Sequence, residues 1–158
     1  MQTKIVAILE KYHLKVTPQR TCIVKNLLEG GHLTIDELYE KVKETCCSLS
    51  LATIYKNVNR MIEEGALSEV KIDGEKSYYE ITKEAHNHFV CSNCGRIVDL
   101  FNLTLNDKKL FKGLNMKVEA INFVAYGECA VCNGMGCEGC DGEEKINCQK
   151  DFYGEVKS

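Results

Sequence analysis

Two Cys-x-x-Cys pairs, Cys91/Cys94 and Cys129/Cys132, constrain this chain more than any other feature. Four thiolates at that spacing suit one closed structural zinc site, because zinc takes four such ligands in a tetrahedron. An ion held by both pairs would tie a late strand back onto an earlier sheet. A second pairing stays open, since Cys137-x-x-Cys140 lies close enough to Cys129 and Cys132 for a local four-thiolate site. The plainer alternative is buried apolar cysteines or redox-labile pairs. Two pairs, each beside a strand pattern and one followed by Gly95, favour zinc. There are ten cysteines and no export signal, and reducing compartments keep thiols free for metal. Cys22, Cys46 and Cys47 have no partner pattern and read as core or incidental.

The first thiol pair follows directly on two histidines, in the run Glu80-Ile-Thr-Lys-Glu-Ala-His86-Asn-His88-Phe-Val-Cys91. On a strand His86 and His88 point the same way, because side chains alternate with a period of two. Imidazole and carboxylate suit iron, manganese or zinc, so a second and chemically different metal site abuts the first. His32 taken alone is a solvated loop residue. Combined with Glu80, His86, His88 and Asp99 it completes a set of three imidazoles and two carboxylates. A metal joining such distant segments would fix the orientation of two halves, which is a switch with a physical mechanism. His13 stands alone and reads as surface or core filler.

A chain of 158 residues makes one ordinary domain or two small ones, and 44% apolar with 27% charged residues is a folded soluble composition. No apolar run is long enough to span a bilayer and the N-terminus lacks a signal-peptide core, which places the chain in the cytoplasm with no membrane partner. The net charge of −3 gives no global sign of nucleic-acid binding. Charge placement says more, since residues 11–28 carry Lys11, Lys15, Arg20 and Lys25 without an acid, and residues 45–62 carry Lys56 and Arg60 likewise. Such windows face phosphates or form an ordinary solvated helix face, and on charge alone the second reading leads.

Along the chain, residues 3–12 are periodic, with Ile5, Ile8 and Leu9 on one side. Thr17-Pro18 is a helix entry with a stop at Gly30-Gly31, and Thr34-Ile-Asp-Glu37 is a capping box opening the helix of Leu38, Tyr39 and Val42. Ser50 caps a helix over 51–64 ending at Gly65, and strands at 67–72 and 76–81 join through Asp73-Gly74. Three helices and a two-stranded wing are the winged helix-turn-helix order, whose last helix enters the major groove. That helix offers Thr53, Tyr55, Lys56, Asn57, Asn59 and Arg60, with Leu51, Ile54, Val58 and Met61 facing inward. Strands at 88–90, 97–101 and 117–126, with a short helix at 106–114, predict a small α/β unit. The expected class is α+β: a winged-helix domain over 1–82, a dimerisation and metal-binding domain over 85–132, and a Cys/Gly-rich extension over 133–158.

The chain resembles the ferric uptake regulator family of bacterial metal-dependent repressors. The matching residues are Thr17-Pro-Gln-Arg20, His32 with Ile35-Asp-Glu-Leu-Tyr39, Leu51-Ala-Thr-Ile-Tyr55, His86-x-His88-x-x-Cys91-x-x-Cys94-Gly95, and Val118 to Cys132. The resemblance implies a homodimer, a structural zinc on the two thiol pairs, and regulatory Fe2+ or Mn2+ at His32, Glu80, His86, His88 and Asp99. It also implies a palindromic double-stranded operator with half-sites about one helical turn, ~34 Å, apart. The DNA-facing set is then Lys15, Gln19, Arg20, Thr53, Tyr55, Lys56, Asn57 and Arg60.

Within the family, peroxide-sensing repressors resemble this chain in carrying Asp where iron sensors often carry Glu, here Asp99. In them bound iron(II) reacts with hydrogen peroxide and a ligand histidine, here His32 or His86, is oxidised. Ala85 and Asn87 depart from the His and Asp that many iron sensors use for an additional metal site, and the extension after Cys132 lies outside the family pattern. The expected function is a metal-dependent, peroxide-responsive repressor, with an iron- or zinc-sensing repressor as the alternative. A non-heme iron or thiol-redox enzyme is the reading from another class. It requires a substrate pocket and a general base, and the sequence shows no such motif beyond the ligands.

Overall fold

The structure, a computed structural model, describes residues 1–45, 49–72, 76–101 and 122–134. The expected turn at Asp73-Gly74, Cys46, Cys47, the expected helix at 106–114, the start of the expected strand at 117–126 and the cysteines of the extension lie outside these residues. The chain separates into two compact units, one of Met1–Glu84 and one beginning at Ala85.

The first unit opens with α1 (Gln2–Lys11), which buries Ile5 and Leu9. His13 lies just beyond it at φ 54, turning the chain out of the helix. Helix α2 (Pro18–Gly30) starts where Thr17 accepts the Arg20 amide on its hydroxyl, with Pro at the first position, where a missing N–H costs nothing. Strand β1 (Leu33–Thr34) leads into α3 (Ile35–Thr45). The box at its start is complete, because the Thr34 amide donates to Glu37 Oε2 at 2.8 Å and the Glu37 amide to Thr34 Oγ1 at 3.3 Å. Helix α4 (Leu51–Glu63) is capped by Ser50, whose hydroxyl accepts the Thr53 amide at 3.2 Å. Gly65, at φ 78, provides the left-handed turn that ends it.

Leu9, Ile23, Val24, Leu27, Leu38, Val42, Ile54, Val58 and Met61 form the buried core of this unit. Leu51, expected to face inward, is exposed instead. It stands in the first turn of α4, before the helix reaches the core. Cys22 is buried in the core as expected; it is also disulfide-bonded, which the spacing of the cysteines did not reveal. The wing is β2 (Leu67–Ile72) antiparallel to β3 (Lys76–Ile81), and β1 adds to the other side of β3 in the order β1-β3-β2.

The second unit is built on β4 (Asn87–Cys91), flanked by β5 (Ile97–Leu100) and β6 (Val124–Gly127) in the order β5-β4-β6. The β4–β5 pair is antiparallel and the β4–β6 pair parallel. Parallel neighbours need a crossover connection, and residues 101–123 are long enough for one. No helix among the described residues is long and apolar enough to cross a membrane.

Candidate metal centres

The sulfur site follows from the parallel pairing. Cys91 and Gly127 are partners at the ends of β4 and β6, so both thiol pairs leave the sheet at the same end. Cys91 and Cys94 sit in a tight turn in which the Gly95 amide donates to the Cys91 carbonyl at 2.9 Å, with Gly95 at φ 72. The second pair turns likewise, the Cys132 amide donating to the Cys129 carbonyl at 2.9 Å. All four sulfurs lie within 4.8 Å of one another, and Cys94 Sγ and Cys129 Sγ are 3.8 Å apart. Four sulfurs bound to zinc at about 2.3 Å in a tetrahedron are ~3.8 Å apart along each edge. The set fits zinc.

The electrostatics agree. The backbone N–H groups of Cys94 and then Cys129 lower the Cys91 thiol to about 6. Hydrogen bonding with the Cys129 and Cys94 sulfurs pushes Cys132 up to about 12. One thiolate thus forms readily and resists company, and a dication is what lets the other sulfurs ionise beside it.

The nitrogen and oxygen donors arrive by strand register. His88 faces Asp99 directly across the β4–β5 ladder, which puts both side chains on one face. His86 was expected on the strand; it precedes β4 by one residue, yet the period of two still carries its ring to within 4.6 Å of the His88 ring. Its Nε2 lies 3.6 Å from Asp99 Oδ1, and His88 Nε2 lies 3.9 Å from the same oxygen. These three side chains are 7%, 10% and 11% exposed for His86, His88 and Asp99. Asn87 faces the other way and accepts the Phe123 amide on Oδ1, so it is a strand clasp and no ligand of this set.

In the first unit, β1 supplies the register. Leu33 pairs with Tyr79, so the next step along the ladder sets His32 opposite Glu80. His32 Nε2 lies 3.4 Å from Glu80 Oε2, with the two side chains 3% and 2% exposed. His32 is therefore not the solvated loop residue it seemed in isolation. Sequence reasoning missed two neighbours of these donors. Lys83 reaches Glu80 Oε2 at 3.2 Å, and Phe101 stacks on His86 at 5.1 Å between ring centroids. Neither residue type marks a ligand, although Lys83 stands only three residues from Glu80 in the sequence.

On α4, Tyr55, Lys56, Asn59 and Arg60 are exposed. Thr53 bonds the Ser50 hydroxyl at 2.8 Å, Asn57 donates to the Thr53 carbonyl at 2.9 Å, and Arg60 pairs with Glu63 and Glu64. Lys15 is exposed, Gln19 is half-buried, and Arg20 donates Nη1 to the Lys15 carbonyl at 3.1 Å, bracing the approach to α2.

Four helices with a β-wing, followed by a small sheet bearing a four-thiol cluster and a buried His/Asp set, define a metal-responsive DNA-binding regulator. The chain belongs to the ferric uptake regulator family, whose model matches residues 11–126. It is 29% identical over 149 residues to the ferric uptake regulation protein of Bacillus subtilis (strain 168), covering 87% of this chain and 100% of that protein. It is similar in structure to the Campylobacter jejuni peroxide stress regulator, with TM-score 0.55 and 36% identity over 86% of this chain and 98% of that one. The Vibrio cholerae ferric uptake regulator gives TM-score 0.63 and 27% identity over 78% and 98%. Members of this family are metal-dependent transcription factors that bind DNA and work as dimers.

Proposed function

We propose that this protein is a metal-dependent transcriptional repressor of the peroxide-responsive kind. The observation that carries the reading is the buried set His86, His88 and Asp99, whose imidazole nitrogens converge on one carboxylate oxygen. With His32 and Glu80 it supplies three imidazoles and two carboxylates for one exchangeable ion, separate from zinc on Cys91, Cys94, Cys129 and Cys132. Domain roles follow: a DNA-reading winged helix over 1–82, a pairing module over 85–132 and an appended extension over 133–158, in a cytoplasmic homodimer. Lys15, Gln19, Arg20, Thr53, Tyr55, Lys56, Asn57 and Arg60 address a palindromic operator.

Iron(II) at the five-ligand set would supply the peroxide reactivity. The chain's own contribution is to hold the ligand imidazoles buried and oriented, so that loss of one donor ends the bridging role. Moving such a switch from mostly off to mostly on requires a differential binding energy of about 5 kcal/mol, within reach of five ligands. Asp99 in place of Glu supports the peroxide subtype. An iron- or zinc-sensing repressor is the second reading, supported by the full-length match to the Bacillus subtilis ferric uptake regulation protein.

Mass spectrometry of iron-loaded protein before and after dilute peroxide separates the two. A gain of one oxygen on the peptide holding His32 or His86 is expected. Unmodified histidines beside intact iron-dependent DNA binding would establish the iron sensor instead. His86→Ala should abolish metal-dependent DNA binding in a gel shift while zinc content stays at the wild-type level.

A further inference from the structure

The geometry points to Lys83 as the residue that sets how tightly the exchangeable ion is held, by competing with it for Glu80. This rests on the reading of Glu80 as a ligand of that ion. The Lys83 ammonium lies 3.2 Å from Glu80 Oε2, the same oxygen that faces His32 Nε2 at 3.4 Å. Glu80 is only 1% exposed, and a carboxylate so far from water needs a positive neighbour to remain charged.

Lys83 fills that need without being buried itself. Its side chain is 34% exposed, so a flexible stem leaves the ammonium a route to solvent. The preceding residue, Thr82, donates its amide to the Ala66 carbonyl at 3.0 Å, and its hydroxyl bonds that of Ser68 at 2.9 Å. The ammonium thus reaches Glu80 on a long stem from the residue just after this hydrogen-bonded one.

A cation arriving at Glu80 meets an oxygen already neutralised by one positive charge. Either the ammonium leaves, which costs the Lys83–Glu80 attraction, or it stays and repels the newcomer at close range. Both routes weaken the site. Lys83 therefore keeps the ion exchangeable.

The test is a manganese(II) titration of the full-length, zinc-loaded chain, followed calorimetrically, with Lys83→Met and Lys83→Arg beside wild type. Lys83→Met should bind manganese about tenfold more tightly, because the incoming cation no longer has to displace or face an ammonium at Glu80. Lys83→Arg should stay near wild type, because it keeps the charge. Without metal, Lys83→Met should lower the thermal midpoint, since Glu80 loses its cation, and added manganese should reverse the order of the two proteins. Unchanged or weaker manganese binding by Lys83→Met, with His86→Ala still losing it, would overturn the role of Lys83 and leave the ion site standing. Failure of wild type to take manganese beyond its zinc would remove both.

Discussion

Ser50 fixes where the recognition helix begins. Its hydroxyl accepts the Thr53 amide, one of the four donors that a helix N-terminus leaves without a partner in the helix. Ser50→Ala should destabilise the first unit by about 1 kcal/mol in a denaturant titration, and Ser50→Asp should restore most of it. Contacts of this kind span three residues, so they are legible in sequence: Thr17, Thr34 with Glu37, and Ser50 all cap where spacing predicts. Residue roles set by distant neighbours are not. Nothing near Phe101 announces its stacking on His86. Arg20 is a different case, a local contact that charge counting cannot see, since its guanidinium donates to the Lys15 carbonyl five residues earlier.

Among the elements, the long periodic ones were readable and the shortest was not. Helices α1 to α4 carry apolar residues at helical spacing, and β2 and β3 carry strand patterns of six residues each. Strand β1 has two residues, too few to show any period, and exists because Leu33 and Thr34 meet Tyr79 and Tyr78. Without it His32 would have no register with Glu80, which is why this half of the donor set could be listed from sequence but not placed. The β4–β6 pairing has the same character, since a parallel ladder depends on a partner far along the chain. Zinc on the four cysteines should hold that ladder. Cys129→Ser should lower zinc content from one ion per chain towards zero in a colorimetric release assay. Amide exchange should then quicken at His88 and Ser92, whose amides donate to the Phe123 and Gly127 carbonyls, while β2 and β3 keep their protection.

At the scale of the molecule, each unit carries its own stabilising centre, an apolar core in the first and a sulfur-held sheet in the second. Damage should therefore stay local. Leu38, with no exposed surface, packs in the first core, and Leu38→Ala should cost 2–5 kcal/mol, a range of about that size being usual for buried leucines. In calorimetry without the exchangeable ion, its transition should fall by roughly 10 °C or more while zinc stays bound. A single shared transition would show that the units do not melt separately. The parallel β4–β6 arrangement also bears on how the chain is made. A polypeptide emerges from the ribosome in order, and its leading domain can fold before the rest is synthesised. The thiols at 91 and 94 appear well before those at 129 and 132, so each nascent chain passes through an interval with half a sulfur nest exposed. An oxidant or a stray soft metal met in that interval would find two ready ligands, and the trailing pair would arrive to a place already taken.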